Sequence, residues 1–171
     1  MRIYLIGYMA SGKSNLGRLL AEKLHVQFID LDYLFEERYK ISVLDVFEKY
    51  DEHAFRTIER SLLVETTRIE DAVISTGGGT PCFFDNMEII KRAGTSIYLN
   101  WELPALLARL KMVKRKRPLL KNIPPGDLAM NVAAQLLERS YFYNQADISA
   151  EGENFDMESL LEVLRIRLAG C

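Results

Sequence analysis

The chain has 171 residues, close to the roughly 150 expected of one folding unit, so one core is expected rather than two. Hydrophobic residues make up 49% and charged residues 27%, ordinary globular usage that excludes a disordered, collagen-like or disulfide-scaffold chain. The 22 basic residues against 24 acidic ones leave a formal charge of -2, so no whole-protein field draws in nucleic acid or an anionic membrane. Two cysteines, Cys82 and Cys171, make neither a disulfide framework nor a zinc spacing, which fits a reducing compartment. No apolar run approaches the roughly 20 residues that cross a bilayer, and the apolar opening Ile3 to Ile6 is too short for a secretory leader. The expected location is the cytoplasm.

In chain order, a first strand is predicted over 2–6. It runs into Gly7-Tyr8-Met9-Ala10-Ser11-Gly12-Lys13-Ser14, a match to G-x-x-x-x-G-K-[ST], and then into a helical face of Leu16, Leu19, Leu20 and Leu24. Strand before and helix after is the context in which such a loop turns its backbone N–H groups around phosphates and adds the helix N-terminus to them. Lys13 is placed for the β/γ-phosphates and the Ser14 hydroxyl for Mg²⁺. Chance matches are expected in well under about 1% of chains this long.

A second strand over 26–29 ends in Asp30-Leu31-Asp32, which puts two carboxylates two residues apart and on one side if the strand continues. Asp30 is suited to hold water on Mg²⁺ and Asp32 to accept a proton from an acceptor hydroxyl; the alternative is an N-cap pair before a helix. The next helical face carries Phe55, Ile58, Leu62 and Ile69, with Arg56 and Glu59 three residues apart, either a positioned guanidinium or an exposed ion pair. After a third strand over 72–75, Gly77-Gly78-Gly79 offers amides that a ligand can approach closely, or a flexible connection ending at Thr80-Pro81. A fourth strand is predicted over 95–99.

Lys111, Lys114, Arg115, Lys116, Arg117 and Lys121 then occur without an acid before Pro124, Pro125 and Gly126, a basic loop. A helix through Leu128, Val132 and Leu136 leads to Arg139, a strand is predicted over 146–149, and Met157, Leu160, Leu161 and Leu164 mark the last helix. Strands joined by such helices make an α/β fold, a parallel sheet covered on both faces that binds ligands beyond the carboxyl ends of its strands. Arg56 and Arg139 together could clamp a planar carboxylate bidentately. The guanine-reading motifs of GTP switches are missing, and the small size with a basic loop suits a kinase for a small acceptor.

These motifs together resemble the shikimate kinase family. Gly7 to Ser14, Phe28-Ile29-Asp30-Leu31-Asp32, Phe55-Arg56-x-x-Glu59, Gly77 to Gly79, Arg117-Pro118-Leu119-Leu120 and Arg139-x-x-x-Tyr143 stand in that family's order and at similar spacing over most of the chain. The resemblance implies a three-layer P-loop kinase fold, a five-stranded parallel sheet with helices on both faces, in one domain over 1–171 with a lid at about 111–126. It implies ATP and Mg²⁺ as partners in phosphorylating the 3-hydroxyl of shikimate. Asp32, Arg56, Gly77, Gly78, Gly79 and Arg139 would bind shikimate. Gly7, Ala10, Ser11, Gly12, Lys13, Ser14, Asn15 and Arg117 would bind the nucleotide; Ser14 and Asp30 would organise the metal; and Lys13, Asp32 and Arg117 would act in catalysis.

Some residues depart from that pattern. Ala10 stands where the family usually has glycine, and Leu110 where it often has an adenine-stacking arginine, with Arg109 one residue away. Phe47 and Phe55 fall either near the substrate or in the helix core. His25, His53 and Cys82 are expected to be structural, and Cys171 to fray with the terminus. The expected molecule is a monomeric enzyme; a gluconate or nucleoside monophosphate kinase and a non-catalytic nucleotide-binding regulator are the alternatives.

Overall fold

The computed structural model describes residues 1–112, 123–152 and 155–169. Arg2–Ile6 forms β1 and Lys13–Leu24 forms α1; β2 is Gln27–Asp30, followed by α2 (Leu31–Tyr39), α3 (Val43–Lys49) and α4 (Glu52–Thr66). Ala72–Ser75 forms β3, Asn86–Ala93 forms α5, Thr95–Asn100 forms β4 and Leu103–Met112 forms α6. The chain finishes with α7 (Leu128–Tyr143), β5 (Ile148–Glu151) and α8 (Met157–Ala169). The strands lie in the order β2-β3-β1-β4-β5, every pair parallel.

Because β1 is central, it is buried on both sides, and its residues alternate between two cores. Tyr4 and Ile6 pack with Phe35, Phe55, Leu62 and Tyr143 on one face, while Ile3 and Leu5 pack with Leu16, Leu20, Leu161 and Leu164 on the other. The chain leaves β1 for β2 and β3 on one side and then crosses to β4 and β5 on the other. The carboxyl end of β1 therefore opens at the point where the strand order reverses, where such sheets leave a crevice.

The predicted strands at 2–6 and 72–75 match, and 95–99 extends by one residue. The strand expected at 146–149 begins at Ile148. Ala146 donates its N–H back to the Tyr143 carbonyl to close α7, and Asp147 Oδ2 accepts from the Ser96 N–H at 2.8 Å, so side chain replaces backbone at the first rung. The helical face through Ile69 stops at Thr66, whose hydroxyl bonds back to the Leu63 carbonyl, although Ile69 still packs on the core. Leu19, expected on the core face of α1, is 53% exposed. The basic loop is shorter than expected at its start, because Lys111 lies in α6. Lys114, Arg115, Lys116, Arg117, Lys121 and Cys171 lie outside the described residues. Among the described residues, no helix is long and apolar enough to cross a membrane.

Candidate active site

The phosphate loop spans the turn from β1 to α1. Gly7 takes φ +139 with the Leu99 carbonyl oxygen 2.9 Å from where a Cβ would stand, so only glycine fits there. Gly12, at φ +97, is the N-cap of α1 and supplies no side-chain cap, which leaves the amides of the first turn to an anion. Lys13 is buried and its Nζ donates to the Gly7 and Tyr8 carbonyls at 2.8 Å each, so the ammonium is folded against the loop it serves.

Ser14 Oγ donates to Asp30 Oδ2 at 2.5 Å and lies 3.5 Å from Ser75 Oγ. Asp30 ends β2 and caps α2, its Oδ1 accepting from the N–H groups of Asp32 and Tyr33. The capping and metal-site alternatives are thus compatible, since each uses a different oxygen. Asp32 does not continue a strand, however. It lies in the first turn of α2, and reaches the site by helix geometry rather than by strand alternation. Asp30 and Asp32 line a cavity of about 260 Å³ with Ala10, Gly12, Lys13, Ser14 and Asn15.

A second, smaller cavity adjoins it, lined by Asp32, Phe47, Phe55, Arg56, Glu59, Gly77, Gly78, Gly79 and Arg139. Met9, Asp32 and Gly78 line both cavities, so Asp32 stands at their junction. Arg56 and Glu59 are not an exposed pair: they are 4% and 2% exposed, with Nη1 donating to Glu59 Oε2 at 2.8 Å. Burial pushes the Glu59 carboxyl above the usual range, against the opposing pull of the Arg56 charge and of the Thr80 hydroxyl, which donates to it at 2.5 Å. The Arg56 guanidinium lies 4.2 Å from the Phe83 ring centroid, and a Cβ on Gly79 would meet its Nη2 at 2.5 Å. The glycine run is therefore a platform for this guanidinium as well as a source of amides.

Arg139 is also buried, and its Nη1 has no hydrogen-bond partner. A buried cationic donor left unpaired is costly unless a ligand completes it. Tyr143 donates its hydroxyl to the Gly78 carbonyl at 2.5 Å, which sets the glycine run against α7.

The family model for shikimate kinase matches residues 9–165. The chain belongs to the shikimate kinase family. It is 44% identical over 164 residues to the shikimate kinase of Azobacteroides pseudotrichonymphae, covering 95% of this chain and 96% of that one. Among solved structures, the shikimate kinase of Bacteroides thetaiotaomicron superposes with a TM-score of 0.88 at 40% identity, covering 99% of this chain and 98% of that one. The shikimate kinase of Acinetobacter baumannii, solved in complex with shikimate, gives 0.83 at 29% identity, covering 99% and 93%. Shikimate kinases are ATP-dependent enzymes, and the five-stranded parallel P-loop fold that the resemblance implied is the fold observed.

Several contacts in the chain escaped the sequence motifs. Arg109 crosses the phosphate loop, donating Nε–H to the Ala10 carbonyl at 2.9 Å and stacking 4.2 Å from the Trp101 ring. It also borders a largely apolar cavity of about 320 Å³ formed by Leu16, Leu19, Trp101, Phe155 and Met157, which accounts for the exposed Leu19. Nothing in the local sequence pairs Trp101 with Arg109, because their meeting depends on how α6 leaves β4. Glu52 also escaped the motifs, although its i,i+4 spacing from Arg56 is a signal that could have found it. Phe47 and Phe55 serve both alternatives, packing on the core and lining the smaller cavity. His25 caps α1, His53 lies against Phe84, and among the described residues no group of three or more His, Cys, Asp or Glu could hold a metal.

Proposed function

We propose that this chain transfers the γ-phosphoryl group of MgATP to the 3-hydroxyl of shikimate, giving shikimate 3-phosphate and ADP. The observation that carries this assignment is the meeting of two cavities at Asp32, one walled by the phosphate loop and the other by two buried arginines and a glycine run. The arginine cavity suits a small ring with one carboxylate: Arg139 Nη1 awaits an acceptor, and Arg56 is held from its Glu59 side. Gly77, Gly78 and Gly79 supply the close backbone approach. Asp32 orients the acceptor hydroxyl and is placed to take its proton as the oxygen attacks Pγ and the bond from Pγ to the ADP oxygen breaks.

On the nucleotide side, Gly7, Ala10, Ser11, Gly12, Lys13, Ser14 and Asn15 surround the phosphates, with Lys13 moving from the loop carbonyls to phosphate oxygens. Arg109 and the apolar cavity beside Trp101 would receive the base. The paired oxygens of Ser14 and Asp30 fit a hydrated Mg²⁺, the hydroxyl as a ligand and the carboxylate through water, with phosphate oxygens completing the shell. The ion when bound neutralises charge on the β/γ oxygens. Arg117, carried over from the family pattern, would close over the transferring phosphate. Each chain holds residues for both substrates, which supports action as a monomer.

ADP release measured with MgATP and shikimate, gluconate or each nucleoside monophosphate tests the assignment. Turnover is expected with shikimate, and its absence at every concentration would defeat the proposal. Arg56→Ala and Arg139→Ala are each expected to lower kcat/KM for shikimate about 30-fold or more, leaving ATP affinity nearly unchanged. Equal loss of ATP affinity would place the arginines on the nucleotide instead.

A further inference from the structure

Glu52 takes no part in the roles just assigned, yet it occupies the edge of Arg56 that Glu59 leaves open. Arg56 Nε and Nη2, the two donors that form a fork, both point at a single oxygen, Glu52 Oε1, at 3.2 and 3.0 Å. The opposite side is closed, because Nη1 donates to Glu59 Oε2 at 2.8 Å and Thr80 locks Glu59 in turn. The two carboxylates differ sharply in standing: the Glu59 side chain is 3% exposed and the Glu52 side chain 39%. A half-exposed carboxylate that offers one oxygen is the more weakly held of the two, whereas a fork meeting two carboxylate oxygens gains both geometry and energy.

We infer that Glu52 is a placeholder, a carboxylate of the protein that satisfies the outer fork of Arg56 in the empty enzyme and is exchanged for the carboxylate of the acceptor. The inference rests on the carboxylate clamp proposed above. The exchange keeps the guanidinium aimed before the acceptor arrives, so the outer fork of a buried cation is never left without an acceptor, while Glu59 holds the inner side throughout. It also opposes binding, because the incoming anion must displace one of like charge. A neutral ring lacking the carboxylate has nothing to offer in exchange, so Glu52 acts as a selectivity element for an anionic acceptor.

Steady-state kinetics of Glu52→Gln and Glu52→Asp test the exchange. Gln keeps the length but weakens the acceptor, and Asp keeps the charge but is one methylene too short to reach the fork. Both are expected to lower the KM for shikimate, by up to about fivefold, with the KM for ATP unmoved. A shikimate KM that rises or stays constant in Glu52→Gln overturns the inference. A wild-type KM in Glu52→Asp overturns it too, since that result would make the charge at the rim, not the contact, the cause. Arg56→Ala measured alongside separates the two levels. If it leaves the shikimate KM unchanged, the clamp itself is misplaced; if it raises that KM while Glu52→Gln does not lower it, only the exchange is wrong.

Discussion

Ala10 carries the clearest local strain in the phosphate loop. Its φ is +63, in the left-handed region that costs an L residue about 1–2 kcal/mol, and the hydrogen bond from Arg109 to its carbonyl helps to hold it there. Ala10→Gly removes the strain but loosens the unfolded chain by about 0.4–1 kcal/mol, so a net gain of about 0.5–1 kcal/mol is expected by thermal or urea unfolding. No gain would mean that the loop relaxes around alanine. Cys82 is the other residue with a measurable signature. Burial pushes its thiol up to about 11, against the pull of Arg139 and Arg56. The fold favours the neutral thiol, so at pH 8 the thiolate is about a hundredfold scarcer than for an ordinary cysteine, and rises only as pH approaches that value. Disulfide-exchange labelling of Cys82 in a Cys171→Ser background is expected to be correspondingly slow at pH 8. Labelling at the rate of a free cysteine would show the thiol to be open.

At the scale of elements, helix ends explain much of the short-helix region that periodicity leaves unread. Asp30, Ser42 and Asp51 each cap a following helix with a side-chain oxygen, so three helices start within 22 residues, and the stripes of the first two, α2 and α3, are too brief to read while that of α4 is long enough. Their ends are less favourable. Lys40 closes α2 in the left-handed conformation at φ +53, a position that favours glycine. Lys40→Gly is expected to stabilise the protein by about 0.5–1 kcal/mol in the same unfolding assay, because the exposed side chain is replaced where only backbone geometry matters. A loss of stability would mean that the lysine makes a compensating contact. Asp147 ties together β4, β5 and α8 by accepting from Ser96 and pairing with Arg167, which is why β5 begins after it.

For the molecule as a whole, two cores on opposite faces of one sheet share every central strand, so they are expected to unfold together as one domain. A ligand that binds only the native state then raises the stability of the whole chain. At a hundred times its dissociation constant, shikimate is expected to add about 2.7 kcal/mol, or about 5–10 °C in Tm. MgATP acts in the same way. At the same concentration Arg56→Ala should cut the shikimate shift to about a third or less and keep the MgATP shift. Two separate transitions would refute the single cooperative unit, and a lost MgATP shift would refute the separation of the two cavities.

The phosphate loop, the alternation of strands and helices, and the chain order of the charged motifs are determined by the sequence itself. Each is local: a glycine, a lysine and a serine at fixed spacing need only the strand before and the helix after them. Which charged residues become buried is decided by tertiary packing. Arg56 and Glu59 look alike as a surface pair or a positioned clamp until α4 lies against the glycine run, and Arg139 gains its unpartnered nitrogen only where α7 meets that run. Arg109 rather than Leu110 reaches the phosphate loop because of the direction in which α6 leaves β4. Periodicity records which face of an element is apolar; it does not record which distant element that face will meet, and the chemistry of the site lies in those meetings.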